Sequence, residues 1–474
     1  MDDSTPPTRP ETDPYAGARD PGPDAAATAR DLDDADPLSS FADRFHVPEG
    51  TLYADGNSLG PASDAALASL DRVVDEWRDQ LIEGWTDADP PWFGIGERLG
   101  DRLAPLVGAE ESEVVIGNSI TVNIHTLVGT FLDELLAGNG AEVEGYKAAD
   151  SEFSPAATGD GDDTDTAPAV LVNELDFPSD HYAIRAQLRQ RGIDPERKLR
   201  VVESRDGRTI HPADVEAALE EHDDVGIVFM PTALYRSGHL FDVERIASAA
   251  HANGAYVGFD AAHTVGAVPH RFSEVGVDFA VWCSYKYLNA GPGAVAGLYV
   301  NERHHGLTPA LAGWWGHEKA TQFEMNLTYT AAASAGAWQI GTPPMLAAAP
   351  LEGALDVLDD AGIDRVRAKS LALTDFLVGL VDERLPGVEV GTPRDHDARG
   401  GHVALEHPEA YRVSQALKDE GVIVDFRPPN VVRICPAPLY TAFAETLAMV
   451  ETLEAILAEE RYERFPSQEG GGVT

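Results

Sequence analysis

Between Val114 and Asp260, short and nearly uninterrupted apolar runs alternate with segments of helical length. EVVIG is followed by a helix through HTLVGTFLDELL, AVLVNE by DHYAIRAQLRQRG and GIVFMP by DVERIASAAHANG, and AYVGFD closes the series. A strand that is apolar at consecutive positions has both faces buried, and a helix after each such strand returns the chain for parallel pairing. The pattern predicts an α/β fold, with a large domain whose mostly parallel sheet is sandwiched by helices. After residue 336 the rhythm changes. VRAKSLALTDFLVGLVDERL is an amphipathic helix, shorter strands follow around VEVGT, GGHVALEH, VIVDF and VVRICP, and a last helix runs through TAFAETLAMVETLEAILAEERY. This reads as a smaller α+β domain.

The boundaries follow from where the patterning fails. Residues 1–38 are rich in Asp, Pro and Ala without helical or strand periodicity, and are expected to be a disordered acidic tail. Residues 465–474 are expected to be a second disordered tail, and residues 142–168 a surface insertion. Residues 39–88 are assigned to an N-terminal segment packing with the small domain, 89–335 to the large domain and 336–464 to the small one.

Composition narrows the partners. The chain has 474 residues, with 35 Lys and Arg against 80 Asp and Glu, a net charge of -45. A field of that sign repels nucleic acid and anionic membranes, so neither is an expected partner. Lysine is scarce: Lys147, Lys198, Lys286, Lys319, Lys369 and Lys418 are all there are. An acid-rich, lysine-poor surface suits concentrated salt, where screening weakens self-repulsion, and the source is read as halophilic. Two cysteines, Cys283 and Cys435, make neither a disulfide framework nor a four-thiolate metal site, and no metal is expected. The start MDDSTPPTRPETDPYAG lacks a signal-peptide pattern, and no run of about 18 apolar residues suggests a membrane span. A cytoplasmic protein is expected.

Against that scarcity, Lys286 sits among Ala280, Val281, Trp282, Tyr285, Tyr287 and Leu288. Burial favours a neutral amine, which Schiff-base chemistry requires; alone, such a lysine is more often one that snorkels from a strand end. Asp260 ends the apolar run AYVGFD, at the strand terminus where open α/β sheets bind ligands. There a carboxylate can hold the pyridine nitrogen of pyridoxal phosphate protonated, or simply cap a helix. EVVIG leads through NSITVNIH into a helix, in outline a phosphate site, with Ser119 or Thr121 as alternative caps. NELDFPSDHYAIRAQL repeats the strand-to-helix passage, placing Phe177 to stack on a flat ring or to act as a hydrophobic staple. Together these four pieces describe a cradle for that cofactor.

The segments YADGNSLGP (Tyr53 to Pro61), NSITVN, FPSD, FDAAHTVGAV, DFAVWCSYKYLNAGPG, GWWGHE, GTPP and VVRICPAPLY resemble the kynureninase family over roughly residues 45 to 460. The resemblance implies the aspartate-aminotransferase-like fold, with a seven-stranded sheet, and pyridoxal 5'-phosphate as cofactor. It implies hydrolysis of L-kynurenine, or its 3-hydroxy form, to anthranilate or 3-hydroxyanthranilate and L-alanine, within tryptophan catabolism. Carried over, Lys286 forms the Schiff base and removes the Cα proton, Asp260 holds the ring nitrogen, and Tyr285 contacts the cofactor and relays protons. Ile120 and Thr121 match the phosphate loop, Phe177, Pro178, Ser179 and Asp180 the ring-contacting loop, and His263 a further cofactor contact. Trp314 and Thr342 match positions that reach the neighbouring subunit's site, implying a homodimer. Arg433 matches the substrate-carboxylate position, and Trp85 belongs with the aryl pocket.

The chain departs from the family pattern at Pro231, where Ser or Thr is usual and Thr232 is the candidate substitute, and in the acidic insertion. The rival readings are a cysteine desulfurase-like lyase, which needs a nucleophilic cysteine, an aminotransferase of the same fold, and a catalytically silent scaffold that binds the cofactor.

Overall fold

The apolar runs between Val114 and Val300 form one seven-stranded sheet in the computed structural model, which describes residues 13–138 and 166–467. In chain order its strands are β1 (Val114–Ile116), β2 (Ala169–Asn173), β3 (Leu199–Val202), β4 (Val225–Pro231), β5 (Tyr256–Asp260), β6 (Phe279–Cys283) and β7 (Ala296–Val300). Their spatial order is β1-β7-β6-β5-β4-β2-β3. Only β7 runs antiparallel, wedged between β1 and β6.

Alternate residues face opposite layers, both of them buried, which is why the runs are almost wholly apolar, with Asn173 and Asp260 only at strand ends and Arg200 on edge strand β3. Val170, Val172, Ile227 and Phe229 join one buried cluster with Ile124, Phe131 and Ile184, from the helices Ile120–Leu136 and Pro178–Gln190. Ala169, Leu171, Val228 and Met230 join the other, with Leu99, Leu103, Ile246 and Leu351. Every residue of β2, β4, β5, β6 and β7 is buried, whereas edge strand β3 exposes Val201.

Beyond Ile363 a four-stranded antiparallel sheet forms, in the spatial order Asp425–Arg427, Val431–Ile434, Val403–Glu406, Glu389–Val390. It shares a core with the helices Ile363–Arg384, Ala410–Asp419 and Phe443–Ala458. The N-terminal segment joins it: Leu52–Tyr53 pairs in parallel with Val422–Ile423.

One expectation is corrected. Residues 13–38 are not a featureless tail: Ala25–Ala35 is a helix capped by Asp24, whose side chain accepts from Ala27 N at 3.0 Å. Tyr15, Ala18, Ala29 and Leu32 are buried in the small-domain core. Asp33 accepts from the backbone N–H groups of Phe443 (2.7 Å) and Ala444 (3.0 Å), satisfying free donors at a helix start. Asp36 pairs with buried Lys369 at 2.7 Å. A few small or apolar contacts scattered among acids make too thin a stripe for periodicity to register.

Residues 1–12, 139–165 and 468–474 lie outside the described residues, and with them most of the insertion expected at 142–168 and of the tail expected at 465–474. Phe465, expected in that tail, is held through its carbonyl by Arg412 Nε at 2.9 Å. Among the described residues no helix is long and apolar enough to cross a membrane.

Candidate active site

Lys286 lies three residues past the end of β6, in a turn that leaves its backbone little freedom. Ala290 N donates to Ser284 O at 3.0 Å and Asn289 N to Lys286 O at 2.9 Å, while Asn289 adopts φ 55°. The DGNSLGP loop lies against this turn, with Gly60 N donating to Tyr285 O at 2.8 Å. A Cβ on Gly60 would stand 2.1 Å from Asn289 Oδ1 and 2.6 Å from Lys286 O, so only glycine permits the approach. Lys286 Nζ is 2.9 Å from His263 Nε2. Burial and the lysine charge push the His263 pKa well down, so a neutral ring faces Nζ.

Three buried carboxylates stand behind the lysine. Asp260, at the end of β5, accepts from Ala262 N at 2.7 Å. Burial raises its pKa and the Lys286 charge pulls it back. Asp180 is pushed well above the ordinary carboxylate range by burial and by Asp260, to which it is hydrogen-bonded. Asp176 is pushed up by burial too, although Asn173 donates to it from N (3.2 Å) and Nδ2 (2.7 Å). Lys286 and Asp180 hold Asp260 down while Asp260 pushes Asp180 up, so a proton shared by the pair favours Asp180.

Opposite lies the junction of two helix starts. Ser119 caps the helix Ile120–Leu136 with no side-chain bond, leaving its first N–H groups open, and Thr121 Oγ1 lies 3.2 Å from Ser179 Oγ in the first turn of Pro178–Gln190. Open amides and two hydroxyls at a helix start can seat an anion without a lysine. Phe177, half exposed, meets Tyr235 edge-on at 5.3 Å between ring centres. Ile120, Thr121, Phe177, Ser179, Asp180, Asp260, His263, Tyr285, Lys286 and Arg433 all line one cavity of about 240 Å³. Pro178 begins the helix that carries Ser179 and Asp180.

The third wall is cationic. Arg433 is buried and holds Asp425 with both edges of one fork, Nε to Oδ1 at 2.7 Å and Nη2 to Oδ2. Nη2 also donates to Ser58 Oγ at 2.9 Å, and Nη1 to Tyr235 O. Arg427 Nη2 reaches Asp425 Oδ2 at 2.8 Å. Asp55, behind them, is pushed up to about 6 by burial and by Asp425.

These features fit pyridoxal phosphate. The residues supply two helix starts at one end, a buried carboxylate and a lysine amine at the other, and two buried polar atoms without a partner among the described residues, Asp180 Oδ2 and His263 Nδ1. The model of the kynureninase C-terminal domain matches residues 366–453. The kynureninase of Geobacillus thermodenitrificans is 45% identical over 442 residues, spanning 93% of this chain and 96% of that one. That of Bacillus anthracis is 43% identical over the same shares. The chain belongs to the kynureninase family. Among solved structures, cysteine desulfurases of Thermococcus onnurineus and Escherichia coli share the fold, each with a TM-score of 0.69, at 18% and 15% identity, covering 89% of this chain and 98% of theirs.

Three residues carried over from the kynureninase resemblance stand elsewhere. Trp85 packs on Trp92 and Trp315, Trp314 on Trp315 and Phe323, and Thr342 is exposed; none lines the cavity of its own chain. Thr232 does not substitute for the residue replaced by Pro231. Its hydroxyl is 2.7 Å from Thr264 Oγ1 and 3.3 Å from Asp260 O, and it does not line the cavity. Sequence reasoning missed Asn57, Ser58, Tyr235 and Arg427 as lining residues. DGNSLGP held the signal for the first two; nothing local marks the others.

Proposed function

We propose that this chain hydrolyses the Cβ–Cγ bond of L-kynurenine or its 3-hydroxy form, releasing the corresponding anthranilate and L-alanine. The observation that carries the reading is the Lys286 amine held 2.9 Å from His263, in a cavity that also contains Asp260 and the two helix starts. Pyridoxal phosphate, when bound, supplies an electron sink for the charge that develops as bonds at the substrate carbons break. Lys286 takes and returns the Cα proton, with neutral His263 orienting the amine. Asp260, supported by the Asp180 proton, holds a proton on the ring nitrogen. Tyr285, whose hydroxyl burial keeps protonated, is the donor beside Lys286. Thr121, Ser179 and the open amides after Ser119 hold the phosphate. Water adds at the aryl ketone carbon, and its oxygen leaves in the anthranilate carboxylate.

The desulfurase alternative needs a thiolate. Both cysteines are buried and burial raises both thiols, Cys435 to about 12, so neither supplies one near neutrality. The test is purified protein with pyridoxal phosphate and L-kynurenine in concentrated salt. Anthranilate and alanine are expected in equal amounts, and a bound cofactor with neither product would defeat the assignment. Lys286→Ala should abolish the absorbance of lysine-linked cofactor.

The assembly belongs to the same proposal: two copies pair so that Trp314 and Thr342 reach the partner's site. An apolar cleft of about 650 Å³, lined by Trp77, Leu81, Ile82, Trp85, Trp92 and Leu346, supports this, because Trp77, Leu81 and Ile82 are more than half exposed in one chain. Sedimentation should give a dimer, and Ile82→Glu a monomer of lower activity. The net charge of -45 and two free, buried cysteines fit a salt-rich, reducing cytoplasm.

A further inference from the structure

His402 immediately precedes strand Val403–Glu406 of the small-domain sheet, yet its ring faces the large domain. Close backbone approaches carry it there. Gly400 N donates to Gly238 O at 2.7 Å, and a Cβ on Gly238, at φ 73°, would stand 2.7 Å from His402 O. A Cβ on Gly401 would stand 2.9 Å from the hydroxyl of Tyr287, the residue after Lys286. These glycines bring the small-domain backbone onto the lysine turn and seat the His402 ring, fully buried, edge-on to His263 at 5.8 Å between ring centres. Neither nitrogen of His402 has a hydrogen-bond partner among the described residues, and nor does His263 Nδ1, although His263 Nε2 lies 2.9 Å from Lys286 Nζ. Three buried nitrogens on two touching rings are costly to leave unsatisfied unless they serve one another.

We propose that His402 is a positioning residue for the lysine: it accepts the Nδ1 proton of His263, in direct contact or through one water, and so holds Nε2 as the acceptor that faces Lys286 Nζ. The assignment rests on the reading of Lys286 as the residue that links the cofactor and moves the Cα proton. A neutral imidazole carries one N–H and one lone pair, so the group that engages one nitrogen decides what the other can do. With nothing at Nδ1, His263 would offer Nζ a donor or an acceptor indifferently. With His402 there, one tautomer is fixed, the acceptor stabilises the protonated states of Nζ, and the lysine becomes a stronger base. Both rings must be neutral for this. Burial and the charges of Lys286, Arg433 and Arg427 hold His263 well down. Burial and the charges of Arg433 and Lys286 hold His402 at about 3, against the opposing pull of Asp425 and the Arg236 carbonyl.

The test follows the absorbance of lysine-linked cofactor against pH in the holoenzyme, comparing wild type with two variants. His402→Phe keeps a ring of similar size without nitrogens, and His402→Gln keeps a side-chain oxygen that can accept. His402→Phe should lower the midpoint by about half to one pH unit and kcat about 3- to 10-fold, the span of one lost hydrogen bond, with KM for kynurenine within about twofold of wild type. His402→Gln should restore most of both. In a His263→Phe background, His402→Phe should move the midpoint no further, because the two rings act as one unit. A midpoint in His402→Phe within about 0.2 unit of wild type overturns the proposal, as does an equal shift with and without the His263 imidazole, which would mark a structural role. His402→Leu repeats the comparison if the phenyl ring prevents folding. If the holoenzyme formed no anthranilate, the reaction assigned above would fall while the absorbance titration still decided His402.

Discussion

The hydroxyls of Thr121 and Ser179 lie 3.2 Å apart, joining the first turns of two helices that start after different strands of the large sheet. Each hydroxyl can donate to an anion seated between them. Thr121→Ala and Ser179→Ala should each weaken cofactor binding about 10-fold, for one charge-assisted hydrogen bond, without moving the absorbance maximum of the bound cofactor. Equilibrium dialysis against free pyridoxal phosphate checks this.

Asp260 and Asp180 are separable by charge. With the shared proton favouring Asp180, Asp180→Asn keeps a neutral donor toward Asp260, and kcat should fall less than about 10-fold. Asp260→Asn removes the anion itself and should cost at least about 100-fold. Steady-state kinetics at saturating cofactor distinguishes the two, and equal losses would show that the proton lies elsewhere.

Gly60→Ala puts a methyl group 2.6 Å from the Lys286 carbonyl. Overpacking of this kind costs about 1–3 kcal/mol, so the melting temperature of the apoenzyme should fall and the lysine turn should shift. Thermal unfolding reads the first effect, and a displaced cofactor absorbance the second.

His239 is buried, and burial lowers its pKa from 6.5 to about 4. The unfolded chain therefore binds a proton that the folded one refuses, so stability is intact above pH 6.5 and is lost as pH falls toward 4. His239→Gln removes that term. Relative to wild type, the variant should gain up to about 3 kcal/mol on acidification across this window. Chemical denaturation at pH 7.5 and 4.5 measures the difference.

With a net charge of -45, self-repulsion opposes compaction until salt screens it. The melting temperature should climb steadily from 0.1 M to 2 M KCl. A flat profile would remove the halophilic reading.

The sheet and the cofactor end of the site were legible because each depends on neighbours in sequence. A strand buried on both faces is almost wholly apolar; Asp260 ends such a run, and Lys286, Phe177 and Thr121 follow one within a short turn. The antiparallel direction of β7 was not legible, since AGLYV is as apolar as any parallel strand and carries no mark of direction. Nor was the cationic wall. Ser58 and Asp425 hydrogen-bond at 2.8 Å across 367 positions, and nothing in either segment names the other. The helix Ala25–Ala35 escaped notice because an acidic composition normally signals solvation, whereas here Asp33 and Asp36 are consumed by a helix start and a buried lysine.

The bond between Asp33 and the backbone of Phe443 spans 410 positions, which gives the small domain a timetable. At roughly 5–20 residues per second, the first helix waits tens of seconds on the ribosome before the segment it completes has been made. Until then Tyr15 and Leu32 have no core to enter, and the acids around them keep that waiting stretch in solution. The small domain is therefore finished after synthesis of the large one, by a segment that left the ribosome before it.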